Sequence, residues 1–226
     1  MRKLIKGIVE FRKNALPEYR ETFARLALGQ KPDTLFIACS DSRVAPNVFA
    51  SADPGDLFVI RNVGNFISPA DREGVSVADV SEAAAIEFAL QSLHVSDIIV
   101  CGHSECGAMQ ALYAGIQSVK PAHLRSWLGH GDQALKDLHN GKVLDKNLAP
   151  HNTLSQLNVL QQIEHLRSYP LVLGAMQEGT LRLHGWWFDI AKAEVLAYEE
   201  SENKFILIDE IEAERLLQRL HDHQQK

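Results

Sequence analysis

Two short apolar segments, far apart in the chain, each end in residues that can bind a metal. Residues 34–38 lead directly into Cys39, and residues 97–102 lead into His103 and then Cys106. Apolar runs of this length predict buried strands. Sites in open parallel sheets form at the carboxyl ends of the strands. The sequence therefore predicts a parallel sheet in which these two strands present their ends at one edge.

Cys39, His103 and Cys106 form a ligand set that suits zinc, with a fourth position for water. A structural zinc site would usually have four ligands, commonly in paired short spacings. Two thiolates and one neutral imidazole leave the zinc site formally neutral, so a bound water can ionise near neutral pH. Two alternatives remain open. The cysteines could be buried thiols beside a core histidine, or Cys106 and His103 could form a nucleophile and base pair.

Asp41 and Arg43 follow Cys39 at intervals of two residues. If the chain stays extended, the three side chains lie on one face. Arg43 can then pair with Asp41, keep it ionised and fix its direction. The carboxylate could orient a hydroxyl group at the metal, or it could occupy the fourth metal position itself. An ordinary salt bridge in a turn is the remaining interpretation.

The whole chain alternates strand-like and helix-like patterns, which predicts right-handed crossovers. The predicted fold class is α/β, with a mainly parallel central β-sheet flanked by helices. An N-terminal helical arm covers residues 1–30, and residues 180–189 and 194–198 form a C-terminal β-hairpin extension. Without a linker or a repeat, residues 1–226 are expected to be a single domain. Helices are predicted at residues 3–14, 17–28, 46–50, 77–93, 107–113, 122–140, 152–168, 170–178 and 210–221, a further buried strand at 57–60, and a surface loop at 64–74.

Composition and charge narrow the class of function. The chain has 226 residues, 46% of them hydrophobic, as expected of a globular protein with a sizeable core. The net charge is −6, from 23 basic and 29 acidic residues. Because no basic stripe with interleaved aromatics occurs, we expect no nucleic-acid partner. No apolar run is long enough to span a bilayer, and no signal peptide is visible, so we expect no membrane association.

Three cysteines are an odd number, and two of them are assigned to a metal. This usage argues for a reducing compartment and against a disulfide framework. We therefore expect a cytoplasmic protein. The third cysteine, Cys101, falls inside the predicted strand at residues 97–102 and is expected to be a plain core residue.

The motif Cys-Ser-Asp-Ser-Arg at residues 39–43, followed by Gly-His-Ser-Glu-Cys-Gly at residues 102–107, resembles the signature of the β-class carbonic anhydrases. Residues 106–109 make the sequence most similar to the bacterial branch that includes the cyanate-associated enzymes. The likeness covers most of the chain and extends to residues 54–58, 61–65, 85–89 and 184–186.

The resemblance implies reversible hydration of carbon dioxide to bicarbonate and a proton, through hydroxide on one zinc ion per chain. Asp41, oriented by Arg43, would receive the hydrogen bond of that hydroxide. The resemblance also implies a substrate pocket, at which the family often has Tyr where Phe88 stands. Pocket residues of relatives come from two subunits, so a homodimer or homotetramer is implied, with the arm lying across a partner. The substrate-binding residues carried over are Gln30, Phe58, Val63, Phe88 and Gly107.

Part of the family is switched off by bicarbonate bound to a Trp, an Arg and a Tyr. The corresponding positions here are Phe36, Arg61 and Glu164. Phe36 lacks the indole N–H donor, and an ionised Glu164 would repel an anion. We therefore expect no such switch, and we expect Arg61 to pair with a nearby carboxylate.

Two other functions remain open from the sequence. Carbon disulfide hydrolysis occurs on the same scaffold in relatives with altered access tunnels. A non-catalytic zinc-binding module would have the same zinc ligands but would not hydrate carbon dioxide. A rate assay with carbon dioxide separates the second of these from an enzyme.

Overall fold

The computed structural model describes the backbone of residues 1–224 and the side chains of residues 1–221. Within this range, six strands form one sheet in the order β2-β1-β3-β4-β5-β6. The first four strands in this order are parallel to one another, β5 pairs antiparallel with β4, and β6 pairs antiparallel with β5. The predicted α/β class with a mainly parallel sheet and a C-terminal hairpin is confirmed. The strands are β1 (Thr34–Cys39), β2 (Leu57–Asn62), β3 (Asp97–His103), β4 (Arg182–Asp189), β5 (Glu194–Glu199) and β6 (Lys204–Leu207).

Helices connect the four parallel strands and flank the sheet. They are α1 (Arg2–Glu10), α2 (Leu16–Leu26), α3 (Pro46–Phe49), α4 (Ser81–Gln91), α5 (Gly107–Tyr113), α6 (Ala122–Leu128), α7 (Asp132–His139), α8 (Pro150–Arg167), α9 (Pro170–Gln177) and α10 (Glu210–Gln224). A π-helical segment, Phe11–Ala15, joins α1 to α2, and a 3₁₀ turn, Gly129–Gly131, joins α6 to α7. The glycines that weaken the predicted helix at residues 122–140 therefore divide it in two.

The N-terminal arm buries none of its residues against the rest of the chain. Leu4, Ile5 and Ile8 are each about 60% exposed, at 65%, 59% and 63%. The apolar stripe on α1 therefore does not pack on the chain's own core.

Two predictions about the sheet region were wrong. Strand β2 is an edge strand with partly exposed side chains, because β1 covers only one of its edges. The segment predicted as a surface loop at residues 64–74 begins with a buried stretch, in which Phe66 and Ile67 are fully buried. Gly64 and Asn65 have φ angles of 88° and 47° and turn this stretch inward.

The last helix docks onto the sheet through one buried carboxylate. Glu199 at the end of β5 is 4% exposed and accepts hydrogen bonds from Arg215 at 2.6 Å and from Arg219. Ser201 also donates to it, at 2.6 Å. Burial opposes ionisation, but these hydrogen bonds outweigh it and lower the pKa of Glu199 to about 2.

We predict that Glu199→Gln lowers the free energy of unfolding at pH 7 by about 1–3 kcal/mol. A carboxylate whose pKa is lowered by folding stabilises the protein above its unfolded pKa, and this contribution is lost as the pH falls through the folded value. The difference between variant and wild type should therefore shrink between about pH 4.5 and pH 2 in denaturant titrations.

Glu202→Gln is the matched control, because the carboxylate of Glu202 pairs with Lys204 at 2.6 Å while both side chains are about half exposed. Exposed ion pairs contribute little to the free energy of unfolding. An equal loss in both variants, or a loss in Glu199→Gln that persists at the acid end, would contradict the prediction.

None of the described helices has the length and apolar character needed to cross a membrane.

Candidate metal centre

The three predicted ligands meet at the carboxyl edge of the sheet. Cys39 ends β1, His103 ends the neighbouring parallel strand β3, and Cys106 is the N-cap of α5. Their ligand atoms all lie within 4.8 Å of one another, and all three residues are buried. The three cysteines of the chain are free thiols, and Cys101 is a fully buried core residue, as predicted.

The ring of His103 is oriented as a metal ligand would be. Nδ1 lies 2.8 Å from the carbonyl oxygen of Ser104, which assigns the proton to Nδ1 and leaves a lone pair on Nε2. His103 is fully buried, and Nε2 has no hydrogen-bond partner among the described residues. A buried nitrogen left unpaired costs free energy unless a ligand satisfies it. The free lone pair of Nε2 favours a ligand role for His103 over that of a satisfied core histidine.

The thiols of Cys39 and Cys106 are hydrogen-bonded to each other and together could bind a cation. The N–H of Gly64 donates to Cys39 Sγ at 3.3 Å. A hydrogen bond from Cys106 is the largest cause that lowers the pKa of Cys39 to about 4, against the effect of burial. That bond and burial raise the pKa of Cys106. Zinc binds cysteine as the thiolate, so a bound Zn²⁺ would take the place of thiol protons here. The donor set therefore fits zinc.

Asp41 and Arg43 form the predicted pair, but through a turn. The chain bends after β1, with the N–H of Val44 donating to the Asp41 carbonyl at 3.0 Å, so the extended conformation was wrong. The Arg43 guanidinium holds both carboxylate oxygens, with Nε to Oδ1 at 2.9 Å and Nη2 to Oδ2 at 2.8 Å. These bonds hold the pKa of Asp41 well below its usual range. Asp41 is therefore an oriented carboxylate beside the thiols.

Among the described residues Arg61 pairs with no carboxylate, so that prediction was wrong. Its Nε and Nη2 donate to the carbonyl oxygen of Cys39 at 3.0 and 2.9 Å, and Nη2 also donates to the carbonyl of Asp41 at 2.7 Å. Arg61 thus fixes the backbone that carries the first ligand and the carboxylate. Sequence reasoning missed this contact because backbone acceptors leave no residue-type signal.

A row of buried polar side chains on α8 holds the loops of the centre. Ser155 donates to the His103 carbonyl at 2.8 Å, and Asn158 donates to the Gly64 carbonyl at 3.1 Å. Gln162 accepts from the Ile67 N–H at 2.8 Å. These residues were not predicted, although their spacing of three and four places them on one helix face.

Glycine in β3 allows α8 to approach the strand closely. A Cβ on Gly102 would lie 2.7 Å from Val159 Cγ2 and 3.2 Å from the Ser155 carbonyl oxygen. Both distances are shorter than ordinary van der Waals contact. The absence of a side chain at Gly102 is thus what lets Ser155 reach the His103 backbone.

The five residues carried over for the substrate pocket lie at different distances from the ligands. Val63 precedes Gly64 and is 44% exposed, and Gly107 follows Cys106 at the start of α5. Phe58, near the start of β2, packs on Phe88 of α4 with ring centroids 5.7 Å apart and the rings tilted. Gln30 belongs to the arm and lines an open groove with Gly55. The single chain therefore brings Val63 and Gly107 to the centre and leaves Gln30 on the arm.

A sequence profile described as carbonic anhydrase matches residues 34–195 of the chain. The carbonic anhydrase of Synechococcus elongatus is 40% identical over 217 residues, which cover 93% of this chain and 76% of that protein. The carbonic anhydrase of Pseudomonas aeruginosa is 36% identical over 210 residues, 93% of each chain. The solved structure of the β-carbonic anhydrase CcaA superposes with a TM-score of 0.84 at 38% identity, covering 92% of this chain and 98% of that one. The chain belongs to the β-carbonic anhydrase family.

As a β-carbonic anhydrase, the chain is a zinc-dependent lyase that hydrates carbon dioxide. Its fold also matches a β-carbonic anhydrase of Sordaria macrospora, from a study of two tetrameric enzymes, with a TM-score of 0.71 and 30% identity over 87% of this chain and 95% of that one. The narrower likeness to the cyanate-associated branch stays a prediction.

Proposed function

We propose that Cys39, His103 and Cys106 hold one zinc ion per chain for the reversible hydration of carbon dioxide to bicarbonate and a proton. The observation that carries this assignment is the unpaired, fully buried Nε2 of His103 beside two thiols. When bound, zinc supplies a Lewis acid that turns water into a nucleophile at neutral pH.

Asp41 is the group that orients the attacking water in this proposal. Its carboxylate is acceptor-only, because Arg43 keeps it ionised and fixes its plane through two parallel hydrogen bonds. A water that donates one hydrogen to this carboxylate keeps a lone pair free to attack carbon. Val63 offers an apolar side chain next to the centre, which suits a small uncharged substrate such as carbon dioxide. Gln30, Phe58, Phe88 and Gly107 remain the proposed further substrate contacts.

The test is a stopped-flow assay of carbon dioxide hydration on the zinc-loaded protein, run beside an assay of sulfide release from carbon disulfide. We expect hydration and no sulfide release. Sulfide release without hydration would indicate a carbon disulfide hydrolase, and full zinc content with neither activity would indicate a non-catalytic zinc-binding module.

We predict that Asp41 stays on Arg43 in the zinc-loaded protein near neutral pH and would not itself bind the metal. Two of the three positions of the bicarbonate switch carry the wrong side chain here, and the third is engaged by the backbone. Phe36 is fully buried against Trp186, Arg61 is bonded to backbone carbonyls, and Glu164 pairs with Arg167. A crystal structure of the zinc-loaded protein at neutral pH checks this directly. Asp41 bonded to zinc, or a steep multi-proton collapse of activity on acidification, would contradict the prediction.

We also propose a homodimer or a homotetramer in the cytoplasm. The exposed apolar stripe of the arm supports a partner subunit, since a large exposed apolar face marks an interaction site. The three free thiols support a reducing compartment. Light scattering at micromolar concentration tests the assembly, and a monomer would contradict it.

A further inference from the structure

Glu105, the residue before the ligand Cys106, has a backbone conformation that needs support. Its φ angle is +54°, a region that non-glycine residues rarely adopt. Such a residue persists only where its surroundings hold it in place, and these positions cluster at functional sites. The contacts that hold Glu105 therefore indicate what its conformation is for.

Asn152 holds Glu105 at two points. Its Oδ1 accepts the backbone N–H of Glu105 at 2.8 Å, and its Nδ2 donates to the Glu105 carboxylate at 2.9 Å. Asn152 is buried in the first turn of α8, so its amide has a fixed position. His151 and Gln110 add hydrogen bonds of 3.0 Å each to the two carboxylate oxygens. The backbone and the side chain of Glu105 are both immobilised.

The carbonyl of Glu105 then points at Arg43. Nη2 of Arg43 donates to this carbonyl oxygen at 2.9 Å and to Asp41 Oδ2 at 2.8 Å. The Arg43 side chain is 47% exposed. If Asp41 were its only partner, the two side chains could move together as a pair. The bond to Glu105 ties the guanidinium to the turn between His103 and Cys106. A hydrogen-bonded chain thus runs from α8 through Glu105 and Arg43 to Asp41.

We propose that Asn152 and Glu105 are a positioning pair for the catalytic carboxylate. Asn152 holds Glu105 in its strained conformation, the Glu105 carbonyl fixes Arg43, and Arg43 aims Asp41. Neither residue is one of the proposed zinc ligands or substrate contacts. Its role in turnover rests on the proposed function, whereas its effect on the position of Arg43 does not.

The first test is Asn152→Ala, with Asn147→Ala as the matched control. The amide of Asn147 also bonds a carboxylate, that of Asp145, but in an exposed turn. We expect Asn152→Ala to lower kcat about tenfold, because a small misplacement of a catalytic group is costly. KM and zinc content should stay unchanged, and Asn147→Ala should match the wild type.

A double variant separates positioning from general stabilisation. If Asn152 acts through Asp41, then Asn152→Ala should cause little further loss of kcat in an Asp41→Asn background. A residue that only stabilises the fold would lower the melting temperature, and its effect on kcat would multiply with that of Asp41→Asn. Multiplicative losses would overturn the proposal.

A compensating exchange gives a rescue test that survives if Asn152→Ala fails to fold. Asn152→Asp alone puts two carboxylates face to face and should lower kcat. Adding Glu105→Gln restores the bond between the two side chains with donor and acceptor exchanged, and the backbone N–H keeps its acceptor. We expect kcat to recover in the double variant. A double variant no more active than Asn152→Asp would overturn the proposal.

Crystal structures of the metal-free wild type and of metal-free Asn152→Ala provide a readout besides activity. We expect the Arg43 guanidinium to leave the Glu105 carbonyl in the variant only. An unmoved Arg43 would overturn the positioning pair even if the wild type hydrates carbon dioxide. A displaced Arg43 in a wild type that shows no hydration would support the pair and contradict the proposed function.

Discussion

Asp41→Asn is expected to keep zinc bound and to lower the rate of carbon dioxide hydration by a factor on the order of 10²–10⁴, which is typical of a positioned proton-handling group. The amide that replaces the carboxylate has the same size but carries two N–H donors. It can present a donor to the attacking water and misdirect it. It also weakens the bonds to Arg43, because it removes the charge from one side of the pair. Stopped-flow rates and metal analysis of the same samples measure both outcomes.

Asp71→Asn is the matched control for this variant. Asp71 Oδ1 accepts two backbone N–H groups in a turn, from Glu73 at 3.0 Å and from Val75 at 2.9 Å. Asp71→Asn therefore replaces a carboxylate with an amide in a similar turn, but outside the metal centre. The control should hydrate carbon dioxide at the wild-type rate. A near-normal rate in Asp41→Asn with full zinc would show that the carboxylate does not orient the water.

Cys106→Ser is expected to lose zinc and activity together. A serine hydroxyl is not ionised near neutral pH, so the variant offers one thiolate where the wild type offers two. Two protein ligands are fewer than the three that catalytic zinc sites use. Zinc content after dialysis and the hydration rate should both fall close to the background of the assay.

Cys101→Ala is the matched control. Cys101 is a buried thiol in β3, two residues before His103, and it is not one of the three proposed ligands. Burial raises its pKa, so it remains a neutral thiol. We expect this variant to keep its zinc and its rate. Full zinc occupancy and a normal rate in Cys106→Ser would remove Cys106 from the ligand set.

The ligand triad could be predicted because residue type and strand position agree. Cys39 and His103 end two apolar runs, and parallel neighbours bring such ends together. The pairing of Asp41 with Arg43 was also predictable, since opposite charges two residues apart meet in a turn as well as in an extended chain. The turn itself was not predicted, because it depends on a hydrogen bond from Val44 to a backbone carbonyl.

The support around the triad could not be predicted for a common physical reason. Arg61 and Ser155 donate to backbone carbonyls, and Asn152 binds a backbone N–H. Every residue has these backbone groups, so the sequence does not show which of them a side chain will reach. The burial of Phe66 likewise depends on the left-handed turn at Gly64 and on contacts with helices that are remote in the chain.

Strand β2 shows that a run of apolar residues does not by itself predict how deeply a strand is buried. Residues 57–60 are a run of apolar side chains, which suggested a buried strand. In the structure β2 lies at the edge of the sheet, with β1 as its one neighbouring strand, and Val59 is 37% exposed. Strand order is a long-range property, and a local pattern does not determine it.

The most direct test of a zinc centre built from Cys39, His103 and Cys106 is to measure the hydration rate while zinc is removed and restored. A chelator should abolish hydration, and added Zn²⁺ should restore it in proportion to zinc bound, up to one ion per chain. In Cys106→Ser the same titration should restore neither zinc nor rate. Hydration that persists after zinc has been removed, or a rate that returns in Cys106→Ser, would contradict the account.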